Sequence, residues 1–120
     1  MLTIDWETIE FEFSDEMDIF FEIYQDYCHS YLKMAEDIKR HLDDGDYKQS
    51  MIAAHTLKGV VSNFYCEKIR KVALEIETKI KDEDTSNIAY LLDSYNDLHN
   101  ELTLEFDSYF KKKSIIKRAS

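Results

Sequence analysis

His55, Lys58 and Gly59 are the residues of this chain whose types and spacing invite chemistry. They lie in a segment, residues 46 to 64, with helical apolar periodicity, and at about 100° per residue its side chains separate into two faces. Tyr47, Ala53, Ala54, Leu57, Val60, Val61 and Phe64 share one arc, while His55, Gly59, Ser62 and Lys48 gather opposite them with Lys58 on the flank. His55 therefore points outward or along the edge of whatever this helix packs against. One turn further on, Gly59 stands in mid-helix, where glycine costs about 1 kcal/mol relative to alanine. A position without a side chain leaves that flank of the imidazole open to another molecule. Lys58, three residues from His55, brings an ammonium to the same side, where it balances anionic oxygens approaching the ring. An imidazole titrates near pH 6.5, so at physiological pH a large share is neutral and nucleophilic without an assisting base. The chemistry that fits is acceptance of a phosphoryl group on a ring nitrogen, which asks for positioning and charge neutralisation.

A histidine presented this way needs a rigid scaffold behind it, and the apolar spacing elsewhere describes one. Met17, Phe20, Phe21, Ile23, Tyr24, Tyr27, Tyr31, Met34, Ile38 and Leu42 recur at three-and-four intervals, predicting a helix from Ser14 to about Asp43. Ser14 is its expected N-cap, Asp15 and Glu16 fill its first turn, and Gly45 stops it. Asp46 opens the second helix, with Gln49 completing a capping box. Ile69, Val72, Ala73, Ile76 and Ile80 mark a third helix, broken by the polar run at 81 to 87. Capped by Asp84 or Thr85, a fourth carries Ile88, Leu91, Leu92, Tyr95, Leu98, Leu102, Phe106 and Tyr109. Residues 3 to 9 suggest a short helix whose Ile4, Trp6 and Ile9 cover one end of the core. The expected fold is all-α: an up-down-up-down four-helix bundle with a short N-terminal helix. Its expected divisions are a capping segment at 1–13, the bundle at 14–110 and a basic tail at 111–120.

Composition agrees with helices and excludes several classes of function. No proline and only two glycines in 120 residues argue against all-β folds, which need frequent turns. Fifteen Lys and Arg against 25 Asp and Glu leave a net charge of -10, and a polyanion repels the phosphates that dominate nucleic-acid affinity. Residues 111 to 120 reverse the sign with Lys111, Lys112, Lys113, Lys117 and Arg118, as suits a helix C-terminus. Cys28 and Cys66 have neither CxxC spacing nor flanking metal ligands. The N-terminus carries acids where a signal peptide needs basic residues, and no apolar run reaches a membrane span. The expectation is a soluble, cytoplasmic monomer with no membrane or nucleic-acid partner.

The string Ala54-His55-Thr56-Leu57-Lys58-Gly59, followed by Phe64, Ile69, Val72 and the pair Ile76-Glu77, resembles the histidine-containing phosphotransfer (HPt) domains of multistep two-component relays. The resemblance covers about residues 15 to 110. It implies that His55 is the phosphoacceptor, that Lys58 assists electrostatically and that Gly59 gives access. It also implies that Glu77 lies near His55 as a hydrogen-bonding neighbour, and Ser62 stands with Glu77 as a supporting residue. The partners implied are receiver domains of response regulators or hybrid kinases; no cofactor is expected here, since the metal ion would belong to the receiver. The chain departs from the family pattern twice. Tyr65 stands where a glycine usually follows the histidine by ten residues, so Asn63 is expected to take the left-handed turn. Val60 replaces the small residue favoured after the motif glycine.

The remaining residues read more plainly. His29, His41 and His99 are expected as surface or boundary side chains, because no metal-ligand spacing links them. Cys66 reads as a small buried thiol, and the acids around Gly45 as a solvated capping loop. Ile52, outward and near Gly59, joins Lys48 as a candidate docking residue. The function expected is a histidine phosphocarrier between receivers, without a nucleotide site and not itself an enzyme. The alternative is a helical docking module that binds a receiver without chemistry.

Overall fold

A computed structural model describes residues 2–113; within them the chain is helical and no strand occurs. Helix α1 spans Trp6–Phe13, α2 Met17–Asp43, α3 Tyr47–Val61, α4 Glu67–Lys81 and α5 Ile88–Lys112. Single 3-10 turns, Ser14–Glu16 and Ser62–Phe64, follow α1 and α3. Residues 114–120 of the basic tail lie outside the described residues.

The connections show how few residues a helical bundle needs for turning. At the end of α2, Gly45 adopts φ 73°, its N–H bonds the Leu42 carbonyl, and the N–H of Asp46 bonds that of His41. This is a Schellman closure, and a left-handed residue is what it requires. Asp46 then caps α3, its Oδ1 accepting the Gln49 N–H at 3.1 Å. The same closure ends α4 without a glycine: Glu83 takes φ 54° while Glu83 and Asp84 bond back to Ile80 and Lys79.

Several helix starts differ from expectation. The first short helix begins at Trp6, because the Asp5 carboxylate binds the N–H and hydroxyl of Thr8 and so fixes the first turn there. Ser14 does not cap α2; it sits at φ 44° as a kink between α1 and a 3-10 turn, and Glu16 precedes α2 without a side-chain cap. Neither Asp84 nor Thr85 caps α5. Asp84 is occupied by Ser86 and Lys79, and Asn87, at φ 62°, holds the N-cap position by backbone conformation alone. Asn63 does not supply the left-handed residue after α3; Tyr65 does, at φ 50°, ψ 39°, and its carbonyl accepts the Asp5 N–H at 3.0 Å. That bond ties the turn to the N-terminal segment.

Helix α3 packs between α2 and α4, and α4 against α5. Helices α2 and α5 meet through long aromatic side chains. Phe20, Phe21 and Tyr24 of α2 interleave with Phe106 and Phe110 of α5, and Phe64 closes the layer edge-on to Phe106 at 5.4 Å. Hydroxyls at the margins find partners: Tyr24 donates to Asp107, Tyr31 to Asn96, and Tyr27 meets both Tyr95 and His99. The partners descend along α5 as the tyrosines ascend along α2. Trp6 stacks on Tyr109 at 3.8 Å while Leu2, Ile4 and Ile9 are buried, so the N-terminal segment covers this end of the core. Burial raises both thiols, Cys28 and Cys66, above the ordinary range.

Candidate functional site

Position on α3 decides what each motif residue faces. Ala54, Leu57 and Val61 are buried, and Ser50 is too, its hydroxyl donating to the Ile38 carbonyl of α2 at 3.2 Å. With that stripe held in the core, His55 is turned outward and its side chain is 67% exposed. Gly59 follows on the exposed side, and a Cβ built there would meet nothing within 4 Å. Nothing inside the molecule therefore requires glycine at this position.

Glu77 arrives from the facing side of α4, between the buried Ile76 and Ile80, and only 16% of its side chain is exposed. Its two oxygens are divided between two partners. Oε2 lies 2.9 Å from His55 Nδ1, and Oε1 accepts from Lys58 Nζ at 3.3 Å. A carboxylate only accepts, so this contact places the imidazole proton on Nδ1 and leaves the Nε2 lone pair directed away from the bundle. The Lys58 ammonium is consequently paired with Glu77 instead of standing free beside the ring. It cancels a negative charge that would otherwise oppose an incoming anion.

The other residues singled out from the sequence fall around this trio. Ser62, two turns beyond His55, donates to the Lys58 carbonyl at 2.8 Å and does not join the Glu77 contacts. Lys48 is exposed two turns before His55 on the same side. Ile52, 47% exposed, borders a groove of about 230 Å³ between α2 and α3 that also includes Met34, Asp37, His41, Gln49 and Thr56. Asp37 is held there by the Lys33 ammonium, which keeps its carboxyl below the usual range with help from Arg40. Sequence reading missed the buried Ser50, which lies on the periodic stripe of Ala54, Leu57 and Val61 but is a polar residue type, and it missed this groove, which exists only once α2 and α3 are set together.

His99 sits at the boundary as expected, but it is engaged there. Its Nδ1 lies 2.7 Å from the Tyr27 hydroxyl and its ring stacks on Tyr31 at 3.8 Å. Burial brings its pKa down to about 4. The neutral ring accepts from Tyr27, whose own oxygen is 3.0 Å from Tyr95, so this part-buried histidine borders the core. Among the described residues no group of three His, Cys, Asp or Glu side chains is placed to hold a metal ion.

The family model of the Hpt domain matches residues 22–105, a span containing His55, Lys58, Gly59 and Glu77. The chain belongs to the Hpt domain family. No curated protein and no solved structure matches it. Hpt domains are helical bundles that carry phosphoryl groups in phosphorelays, interact with receiver domains, and have neither a nucleotide site nor a cofactor of their own. In this Hpt domain, Tyr65, at the position where the resemblance leads to the expectation of a glycine, takes the left-handed conformation, and Val60 is half-buried against the core beside Gly59. No helix among the described residues is long and apolar enough to cross a membrane.

Proposed function

We propose that this Hpt domain is a phosphocarrier that takes a phosphoryl group from a receiver phospho-aspartate onto His55 and passes it to a second receiver. The observation that supports this most directly is the divided Glu77 carboxylate, which holds Nδ1–H and leaves an exposed Nε2 lone pair. In the reaction, Nε2 attacks phosphorus in line, the N–P bond forms, and the aspartyl O–P bond breaks to release the receiver's carboxylate. The proton on Nδ1 stays where it is, so no base is needed. The positive charge that develops on the imidazolium is stabilised by Glu77, while Lys58 offsets the carboxylate's charge toward the phosphoryl oxygens. Reversal onto another aspartate completes the relay. Gly59 admits the partner's surface beside the ring, and Lys48 and Ile52 contact it at the periphery.

The same reading includes an up-down-up-down order of the four long helices around residues 14–110, supported by the antiparallel run of α2–α5 side-chain pairs. It also takes the carrier to be a cytoplasmic monomer, as expected for a diffusing relay component.

The test is transfer from purified receivers charged with acetyl phosphate. An acid-labile, base-stable phosphate is expected on the wild type and absent from His55→Gln, with the helical circular dichroism of the two unchanged. Binding to a receiver without label on either protein would instead identify a docking module.

A further inference from the structure

We infer that the α3–α4 hairpin is a positively charged steering face on an otherwise acidic protein, and that the partner docking over His55 presents a carboxylate-rich protein surface to it. The location of that partner rests on the relay reading; the charge arrangement does not. Residues 47–81 hold seven basic residues against three acidic ones, a net of +4. The rest of the chain holds eight against 22, a net of -14. The molecule's overall -10 therefore conceals a reversal of sign in the two helices that carry His55 and Glu77, apart from the basic run at 111–120.

Side-chain pairing makes the reversal stronger on the hairpin's surface. Lys58, Arg70 and Lys79 are engaged by Glu77, Glu67 and Asp84. Lys48, Lys68, Lys71 and Lys81 are exposed, and among the described residues none of them makes an ion pair. The unpaired carboxylate among them is Glu75. By helical geometry Lys48 lies within about 20° of His55 around α3, and Lys81 within about 40° of Glu77 around α4, so these two face the same side as the histidine. Lys71 and Lys68, about 120° and 180° from Glu77, extend the positive charge around the outside of α4. At a Debye length of about 8 Å, such charges extend into the space a docking partner enters. Across the bundle, exposed acids such as Glu36 of α2 and Asp93 and Asp97 of α5 make the opposite face negative. An anionic partner is thus repelled from the back and drawn to the front, which raises the association rate without adding contacts.

Two features favour a protein partner over a polyphosphate chain. Ile52 and Leu74, 47% and 38% exposed, interrupt the basic face with apolar side chains. At the hairpin's open end the end of α2 and the flanking loops carry Asp43, Asp44, Asp46, Asp82, Glu83 and Asp84, which would repel a phosphate backbone running past it. A compact carboxylate patch ends before reaching them.

The experiment uses two charge variants of the full chain, each verified by circular dichroism. Lys48→Glu with Lys81→Glu alters the hairpin, and Glu36→Lys with Asp93→Lys alters the far face by the same magnitude. Amide shifts on titration with a hexaglutamate peptide at low salt are expected on α3 and α4, lost in the hairpin variant and kept in the far-face variant. With a receiver domain, stopped-flow association at about 50 mM salt should slow roughly tenfold or more in the hairpin variant and change less than about threefold in the far-face variant. Shifts scattered over the surface, or equal and opposite rate changes in the two variants, would overturn the inference, because net charge alone would then govern binding. Single-stranded DNA binding as tightly as the receiver at physiological salt would overturn the assignment to a protein partner. If association is steered as described but His55 never acquires label, the relay reading fails and the steering face stands. If label passes while association ignores the hairpin charges, the reverse holds.

Discussion

Glu77 is the residue on which the chemistry of the site turns, since one carboxylate sets the imidazole tautomer and also occupies the neighbouring ammonium. Replacing it with alanine removes both effects at once. The ring can then take either tautomer, and Lys58 loses its tether, so phosphoryl transfer to His55 should slow by about tenfold while partner affinity changes little. Glu77→Gln keeps an acceptor for Nδ1–H and should retain more of the rate, although the developing imidazolium loses its counter-charge. Single-turnover transfer with each variant measures this, and equal rates for wild type and Glu77→Ala would remove Glu77 from the mechanism. Gly59 gives a second residue-level expectation. A Cβ meets no neighbour there, so Gly59→Ala should stabilise the fold by about 0.5–1 kcal/mol in urea denaturation. The same methyl group should weaken receiver binding, since it projects into the space left open beside His55.

At the level of elements, the two long-helix endings pose the same backbone requirement and meet it with different residues. Gly45 is left-handed after α2 and Glu83 is left-handed after α4, each inside a Schellman closure. Left-handed geometry costs a side-chain-bearing residue on the order of 1 kcal/mol. Gly45→Ala should therefore destabilise by about 1 kcal/mol, whereas Glu83→Gly should stabilise by somewhat less because glycine also gains entropy in the unfolded chain. Thermal melts of the two variants should move in opposite directions. Tyr65 is in the same conformation, but its carbonyl holds Asp5 N–H and its exchange for glycine would also remove the tyrosine side chain. It is a less clean test of strain for that reason.

For the molecule as a whole, the seam between α2 and α5 links stability to pH through His99. Folding lowers its pKa from about 6.5 to about 4, so between these values the unfolded chain binds the extra proton and the folded chain does not. Stability from the neutral ring is complete above about pH 6.5 and is lost as pH falls toward 4. The loss is about 1–2 kcal/mol, below the full linkage value because the ring retains some solvent contact. Urea midpoints should fall from pH 7 to 4.5 in the wild type and fall less in His99→Gln, which keeps a hydrogen-bonding side chain without the titration. Identical slopes would show that His99 does not govern the acid limb.

The sequence by itself determined that the chain is helical, where the long helices run, and which family it belongs to, because three-and-four apolar spacing and the motif around His55 are local signals. It placed helix interiors better than helix starts. A side chain such as Asp84 can cap in several ways, and the nearby Ser86 and Lys79 decide which one occurs. The sequence points to Glu77 only through resemblance: it is 22 residues from His55, and helical period says which face it occupies but not what lies across from that face. The structure alone decided that Glu77 divides its oxygens between His55 and Lys58, that His99 turns inward to Tyr27, and that Tyr65 carries the left-handed turn. Each of these depends on how two helices are set against one another, a relation created by packing and absent from any single stretch of sequence.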